Sequence, residues 1–368
     1  MLQPSVLTTD LGRYRRNIEI LRSRFAPNKK LCAVVKANGY GHGLVPVSLC
    51  AAEAGVEALG IVDNVEAKDL RDAGIHLPIL RLRSAFPEEV EETLDLDVEE
   101  VVGDFDTLEA FANVADRHGK RLPVHLKVDI GIGRMGITHS QAEELARAAC
   151  STPGIRVAGL MSHFPNADDP DSDITLQQIQ SFESVLAQLR SLLPEDIVVH
   201  VANSAAMIRF FNSQFDMIRI GLASYGLSPS DVIELPLGVK PVMRWTTRIA
   251  QIRRMGRGET VGYGMTCRLD RDALVGTLPI GYADGYFRSL SRPTDVFIRG
   301  RRCPTLGVVS MDMICVDVSD VPKVTVGDEV ELFGDNISAD ELAELAGTIS
   351  YEILTRVGNS DRVRRDFI

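Results

Sequence analysis

The stretch LCAVVKANGYGHG, residues 31–43, carries the pattern that decides the fold. Its first half, Leu31–Val35, has the length and composition of a buried strand, and Lys36 follows directly. The three glycines within residues 37–43 allow the backbone to approach a ligand closely. The stretch therefore predicts a strand that ends at an amine beside a ligand-binding loop, which is a suitable place for a Schiff base.

Seven further β-rich runs follow, separated by amphipathic segments, and the first helix is predicted from about Asp10. Eight such units in about 200 residues favour a (β/α)8 barrel. A doubly wound open sheet is the alternative, but no Gly-x-Gly-x-x-Gly turn follows the first strand. The eight predicted strands are Leu31–Lys36, Glu57–Val62, Pro78–Leu82, Glu99–Gly103, Pro123–Asp129, Ile155–Ser162, Ile197–Ala202 and Met217–Gly221.

The alternation of β-rich runs with amphipathic segments stops after the Pro229–Pro236 stretch, and short β-rich runs then follow one another with glycine-containing turns. This pattern predicts a mostly antiparallel second domain. We place the barrel at residues 1–235 and the second domain at 236–368. A capping box at Ser338 predicts a late helix, and Tyr351 is expected near the start of another.

Composition narrows the classes of function. The 368 residues are 45% apolar, and the net charge of −11 gives no basic surface for nucleic acid or anionic lipid, so a small-molecule substrate is expected. The N-terminus lacks a basic start and an apolar core, which predicts a cytoplasmic protein. Six scattered cysteines without a Cys-x-x-Cys pair indicate neither a disulfide framework nor a zinc site, and no catalytic metal is predicted.

Unusual polar residues occur where the predicted strands end, and in a barrel those ends converge on one mouth. Strand alternation directs His125, Lys127 and Asp129 into the barrel. A lysine there must find an anion or lose its charge, and an ion pair with Asp129 or another acid is the ordinary solution. The residues at strand ends are Lys36, Lys127 with Arg134, His163, Asn203 with Ser204, and Arg219 with Gly221.

The tract from Lys36 to Gly43 resembles the cofactor-lysine motif of the alanine racemases, which are fold-type III enzymes that bind pyridoxal 5'-phosphate (PLP). Further segments resemble the same family in the same order, so the resemblance covers nearly the whole chain. These segments contain Gly133–Gly136, Met161–Phe164, Asn203–Ala206, Met217–Gly221, Val261–Gly264, Gly281–Gly285, Ser310–Met313 and Ser350–Ile353.

The resemblance implies how PLP is held. Lys36 would form the Schiff base, and Arg219 would face the pyridine nitrogen. An arginine stays protonated and leaves that nitrogen unprotonated, so the ring is a weaker electron sink and racemisation is favoured over side reactions. Barrel decarboxylases pair an acid with this nitrogen instead. The other residues implied at the cofactor are Tyr40, His163, Asn203, Ser204, Gly221, Leu222 and Tyr351.

The resemblance also implies a two-base reaction, with Lys36 on one face of Cα and Tyr263 of the opposite subunit on the other. Arg134 would bind the substrate carboxylate and Tyr263. Lys127 would be carbamylated to N6-carboxylysine and would position Arg134. Tyr282, Met311 and Asp312 would line the neighbouring subunit's site.

The resemblance thus implies a homodimeric, PLP-dependent alanine racemase with shared active sites that supplies D-alanine for peptidoglycan. A serine or broad-specificity racemase would use the same two bases and remains an alternative. A barrel decarboxylase would need a Cys-x-Ser-Asp-like segment, which the chain lacks. A non-catalytic PLP carrier can share the lysine and the barrel, but such single-barrel proteins lack the second domain that holds Tyr263 and Tyr351.

Overall fold

The computed structural model describes residues 3–169, 173–292 and 294–368, which form two compact units. The barrel unit comprises residues 14–39 and 44–240. The β unit comprises Pro241–Ile368 together with the chain up to Arg13 and the segment Tyr40–Gly43. The division of the sequence into two continuous domains at 235/236 stays a prediction. In the structure the chain up to Arg13 belongs to the β unit, because Val6–Thr9 pairs within its sheet, and the segment Tyr40–Gly43 belongs to the same unit.

The strands are numbered in chain order. They are β1 Val6–Thr9, β2 Lys30–Val34, β3 Ala58–Ile61, β4 Ile79–Arg81, β5 Val98–Val102, β6 Leu122–Lys127, β7 Ile155–Met161, β8 Val198–His200, β9 Met217–Ile220, β10 Met243–Arg248, β11 Gln251–Met255, β12 Thr260–Val261, β13 Cys267–Arg268, β14 Ala273–Leu278, β15 Asp295–Ile298, β16 Arg301–Leu306, β17 Ile314–Asp317, β18 Glu329–Phe333 and β19 Arg364–Phe367.

The helices are numbered in the same way. They are α1 Leu11–Phe25, α2 Leu44–Glu53, α3 Asn64–Asp72, α4 Pro87–Glu92, α5 Phe105–His118, α6 Ala142–Ser151, α7 Asp173–Leu189, α8 Ser204–Arg209, α9 Ala339–Ala346 and α10 Ser350–Gly358. As expected, α1 buries Tyr14, Ile18 and Leu21 on one face. No helix among the described residues is long and apolar enough to cross a membrane.

The barrel unit contains an eight-stranded parallel sheet in the order β8-β7-β6-β5-β4-β3-β2-β9. The sheet is nearly closed on itself, because Arg219 N–H donates to the carbonyl of Ala202 and Asp216 N–H to that of Val199, each at 3.0 Å. All eight strands predicted from the sequence are present, which confirms the (β/α)8 barrel.

Strand alternation decides which side chains fill the barrel. An interior apolar cluster includes Cys32, Val101 and Met217, with Val198 packed against it. Because alternate residues share a face, Glu99, Arg219 and His200 point to the same interior. His125 and Lys127, whose direction was predicted, are both buried.

The β unit is built on a nine-stranded sheet in the order β11-β14-β17-β16-β15-β18-β10-β1-β19. Every pairing in it is antiparallel except that of β1 with β19, which confirms the mostly antiparallel second domain. Ser338 caps α9 by accepting a hydrogen bond from Glu341 N–H, and Tyr351 lies in the first turn of α10, as expected.

Candidate active site

The backbone after β2 makes a left-handed turn. Ala37, Asn38 and Gly39 have φ angles of 53°, 57° and 62°, and Tyr40 follows at 52°. This conformation costs roughly 1–2 kcal/mol for each non-glycine residue, and such strain concentrates at functional sites. The turn begins at Lys36, so the strained backbone fixes the position of this residue just after the end of β2.

Glu66 holds this turn in place. Its Oε1 accepts a 2.6 Å hydrogen bond from Ala37 N–H, and its Oε2 accepts one of 2.8 Å from Val62 N–H. Glu66 stands in the first turn of α3, where it forms a capping box with Asp63. The sequence analysis missed this residue, although the Asp63-x-x-Glu66 spacing is the signal that could have found it.

Lys36 is half-buried at the end of β2. Burial and the nearby Arg134 guanidinium lower its pKa, while Glu66 opposes them in part. A lowered pKa increases the fraction of neutral amine, which is the form that attacks a carbonyl. The cation that lowers the pKa of Lys36 is therefore Arg134.

Arg219 lies buried inside the barrel and donates to five acceptors. Its Nη1 binds His200 Nδ1 at 2.6 Å and the His200 carbonyl at 3.1 Å. Its Nη2 binds the carbonyls of Ser162 and Val201 at 2.8 and 3.0 Å, and His163 Nδ1 at 3.2 Å. Burial lowers the pKa of Arg219 to about 10, so the guanidinium stays charged near neutrality.

The Nε–H of Arg219 differs from the Nη–H groups of the same guanidinium. It finds no acceptor in the described parts of the chain, and no described carboxylate forms an ion pair with Arg219. A structural salt bridge, the ordinary role of an arginine in an apolar strand, is therefore absent from residues 3–169, 173–292 and 294–368. A donor left over on a buried cation suits an uncharged acceptor such as a pyridine nitrogen.

The loops after β8 and β9 meet at a small group of donors. Ser204 Oγ accepts a 2.9 Å hydrogen bond from Gly221 N–H. Leu222 N–H, at the start of the 3-10 turn Leu222–Tyr225, has no acceptor among the described residues. Asn203 caps α8 by accepting from Ala206 N–H at 2.9 Å. Barrels commonly bind phosphate with these two loops, and the donors fit a phosphorylated ligand.

Lys127 does not form an ion pair with Asp129, which was one ordinary alternative for a lysine inside the barrel. The Asp129 carboxylate instead accepts three backbone N–H groups, those of Gly131, Ile132 and Gly133, at 2.8 to 2.9 Å. Burial, Arg219 and Arg134 lower the pKa of Lys127 to about 7, and Asp129 only partly opposes them. Backbone amides thus outcompete the amine for Asp129, which shapes the loop that carries Arg134.

His163 contacts Arg219 and is surrounded by cations. Burial and the charges of Arg219, Lys127, Arg134 and Lys36 hold its pKa well below the ordinary value, so the ring is neutral. Its Nδ1 accepts from the Arg219 guanidinium at 3.2 Å. His200, which the sequence analysis passed over, makes the shorter contact at 2.6 Å.

The remaining predicted residues belong to the β unit. The rings of Tyr40 and Tyr351 lie 5.6 Å apart. Tyr282 N–H donates to the carbonyl of Ser310, which brings the Tyr282 turn beside Met311 and Asp312. Tyr263 is 73% exposed on a 3-10 turn.

Arg362 was not predicted as a site residue, yet it bridges the Tyr282 turn and the Met311–Asp312 segment. Its Nε donates to Asp284 at 2.9 Å and its Nη2 to Asp312 at 2.5 Å. Asp284 is buried and closes the Tyr282 turn by accepting from Gly281 N–H at 2.8 Å. The sequence signal is weak, because arginines are frequent near this end of the chain.

At its strand ends the parallel barrel carries a lysine of lowered pKa, a buried arginine and donors from two loops. These features define a class of barrel proteins suited to a phosphorylated cofactor that is linked to a lysine. Family models agree with this class: the alanine racemase N-terminal domain matches residues 9–229, and the C-terminal domain matches residues 242–367. The chain belongs to the alanine racemase family, and it is a PLP-dependent amino-acid racemase.

Individual relatives agree over their full length. An alanine racemase of Symbiobacterium thermophilum is 40% identical over 368 residues, covering 99% of this chain and 97% of its own. A crystal structure of alanine racemase from D-cycloserine producing Streptomyces lavendulae matches with a TM-score of 0.93 at 33% identity, covering 100% of this chain and 98% of its own. The biosynthetic alanine racemase from Pseudomonas aeruginosa matches with a TM-score of 0.90 at 36% identity, covering all of both chains.

Proposed function

We propose that the chain interconverts L-alanine and D-alanine, with PLP held at the mouth of the barrel. The observation that carries this proposal is the environment of Arg219, a charged guanidinium with an unused Nε–H and no carboxylate partner in the described residues. An acid facing the ring nitrogen would favour decarboxylation, whereas an arginine favours a short-lived carbanion. The relatives named above bear the alanine racemase name.

The residues that would hold PLP fit its parts. When bound, PLP supplies an aldehyde that links to Lys36 and a ring that stabilises negative charge on the substrate Cα. Ser204 and the N–H of Leu222 would bind the phosphate, with Gly221 positioned by Ser204. Tyr40 and Tyr351 would add hydroxyl groups to the phosphate and restrict the space around Cα to a methyl side chain.

Two bases would move the proton. Lys36 Nζ acts on one face of Cα and Tyr263 Oη on the other, so each enantiomer loses its proton to a different residue. The exposure of Tyr263 leaves its ring available to a second copy of the chain, and we propose a homodimer with shared active sites. Tyr282, Met311 and Asp312 would line that shared site, where Met311 is 52% exposed.

Arg134 would bind the substrate carboxylate through its fork of donors. Its orientation would depend on Lys127, whose pKa near 7 leaves a large fraction of neutral amine at physiological pH. The nitrogen of a neutral amine bonds to the carbon of carbon dioxide and releases one proton to solvent, and the resulting carbamate is an anion that suits the cationic surroundings of Lys127. We therefore include N6-carboxylysine at Lys127 in the proposal. The cellular part of the proposal is cytoplasmic supply of D-alanine for peptidoglycan.

The test is exchange of the Cα proton in deuterated buffer, followed together with chirality, for L-alanine, D-alanine and L-serine with and without added PLP. Rapid exchange with inversion of alanine is expected. Comparable rates with L-serine would favour the broad-specificity alternative, because one hydroxyl changes discrimination by only about 1–3 kcal/mol. No exchange from a PLP-loaded protein would support the non-catalytic carrier instead.

The Tyr263→Phe variant tests the two bases. It should abolish racemisation and reduce proton exchange unequally for the two alanine enantiomers, because only one of them loses its proton to Tyr263. Tyr286→Phe is the matched control, since it removes a buried hydroxyl of the β unit that has no partner in the described residues. Exchange rates that match those of the wild type for both enantiomers would remove Tyr263 as a base.

A further inference from the structure

Four side chains form a continuous hydrogen-bonded line through the interior of the barrel unit. Glu99 Oε2 lies 2.8 Å from His125 Nε2, and His125 Nδ1 lies 2.8 Å from His200 Nε2. His200 Nδ1 then lies 2.6 Å from Arg219 Nη1. His125, His200 and Arg219 are buried, whereas the Glu99 side chain keeps 23% of its surface exposed.

The chemistry of Glu99 dictates the proton on every ring in this line. A carboxylate only accepts, so His125 must carry its proton on Nε2, which leaves Nδ1 as an acceptor. His200 must then carry its proton on Nε2 and present the lone pair of Nδ1 to Arg219. Burial acts to raise the pKa of Glu99, but the hydrogen bond from His125 and the positive charges of Arg156 and Lys30 act against it and the pKa is lowered, so Glu99 stays ionised.

The opposite set of tautomers would disrupt the line. A proton on His125 Nδ1 would donate to His200 Nε2 and force the His200 proton onto Nδ1. Two donors would then face each other at His200 and Arg219. Burial holds the pKa of His200 well below its usual value, so a doubly protonated ring offers no escape. A buried donor left without its acceptor costs about 1–3 kcal/mol.

The barrel makes room for this arrangement at Gly159 of β7. A Cβ at that position would lie 2.2 Å from His125 Nδ1 and 2.7 Å from the carbonyl of Val198. Any other residue would therefore displace the ring atom that contacts His200. Glu99 lies at the second position of β5, near the amino ends of the strands, so the line reaches Arg219 from the side away from the mouth.

We propose that Glu99 and His125 are positioning residues, which act through His200 to fix the orientation of Arg219 and to keep its Nε–H directed to the cofactor. The proposal rests on the proposed role of Arg219 as the partner of the pyridine nitrogen. Neither residue touches substrate or cofactor. Their effect is to choose the tautomer of His200, and a change at Glu99 is transmitted to Arg219 through two rings.

The first experiment measures the imidazole 15N shifts of the PLP-loaded wild-type protein, with His125→Gln and His200→Gln variants to assign the rings. Protonated Nε2 and unprotonated Nδ1 are expected for both His125 and His200. The opposite tautomer, or a doubly protonated ring, at either residue would overturn the proposal. This measurement does not depend on activity, so it is separate from the test of racemisation.

The second experiment compares Glu99→Leu with Glu99→Gln. Leucine removes the acceptor, so the His125 and His200 tautomers should become mixed, with a loss of kcat/KM of about 10- to 100-fold, as for other partners that orient functional histidines. Glutamine retains a carbonyl oxygen for His125 Nε2–H and should keep the wild-type tautomers. Unchanged 15N shifts in Glu99→Leu, or an equal loss of kcat/KM in the two variants, would refute the proposal that Glu99 orients Arg219 through the two histidines.

Discussion

Gly358 at the end of α10 allows two backbones to touch in the β unit. A Cβ on Gly358 would lie 2.2 Å from both the Cα and the carbonyl oxygen of Gly41. A Cβ on Gly41 would also meet backbone of α10, because it would lie 2.3 Å from the carbonyl oxygen of Leu354 and 3.0 Å from the Cα of Gly358. Both neighbours are backbone, so neither can be relieved by a side-chain rotation.

We expect Gly358→Ala to push α10 away from the Tyr40–Gly43 segment by about 1 Å, since contacts under 3.0 Å essentially never occur. Overpacking of this kind costs typically 1–3 kcal/mol, and rigid backbone on both sides places Gly358→Ala at about 3 kcal/mol. The melting temperature of the β unit should fall by roughly 5–10 °C. Because α10 carries Tyr351, its separation from Tyr40 should also weaken PLP binding.

Calorimetry and PLP titration measure the two effects. Gly256→Ala is the matched control in the same unit, because its Cβ would meet nothing closer than 3.5 Å and its φ is not in the left-handed region. A Gly358→Ala protein that melts with the Gly256→Ala control would refute the close approach of the two backbones. If Gly358→Ala lowers the melting temperature as expected but leaves the PLP affinity unchanged, Tyr351 does not contribute to phosphate binding.

Two further substitutions test the barrel unit. Glu66→Gln replaces with a donor one of the two oxygens that accept from Ala37 N–H and Val62 N–H, and should lower the free energy of unfolding in denaturant by about 1–3 kcal/mol, whereas the exposed Glu19→Gln should cost little. In buffer free of carbon dioxide, the pKa of Lys127 is about 7 in the folded protein and about 10.4 in the unfolded chain. Below about pH 7 the buried charge therefore destabilises the folded protein by its full amount. This destabilisation disappears as the pH rises to about 10. The wild type should therefore gain stability relative to Lys127→Met across that window, and parallel pH profiles would contradict the assignment.

The barrel was predictable because each of its strands is a local signal. The eight apolar runs are short, and polar residues such as Lys36 and Arg219 mark where they end or what they enclose. β1 was missed because Val6–Thr9 is only four residues long and its partners lie in β10 and β19. A pairing across that sequence distance leaves no periodic mark in either partner, so the N-terminal segment was placed with the barrel.

The candidate site was predictable in its residue types more than in its contacts. Resemblance named Lys36 and Arg219, but the left-handed turn after Lys36 includes Ala37 and Tyr40, residue types that do not signal positive φ angles. The contacts of Asp129 could not be predicted, because its carboxylate binds the backbone amides of the following loop and not Lys127. His200 was missed because its importance comes from a 2.6 Å contact with a residue on another strand.

The position of β1 between β10 and β19 has a consequence for synthesis of the chain. The earliest strand to leave the ribosome pairs with Arg364–Phe367 and Met243–Arg248, so it must wait unpaired while more than two hundred residues of barrel are made. A fragment that begins at Pro241 would expose β10 and β19 as bare edges, open to pairing with other chains. A synthetic peptide spanning residues 3–13 should bind between β10 and β19 of the fragment and restore the missing strand of the sheet.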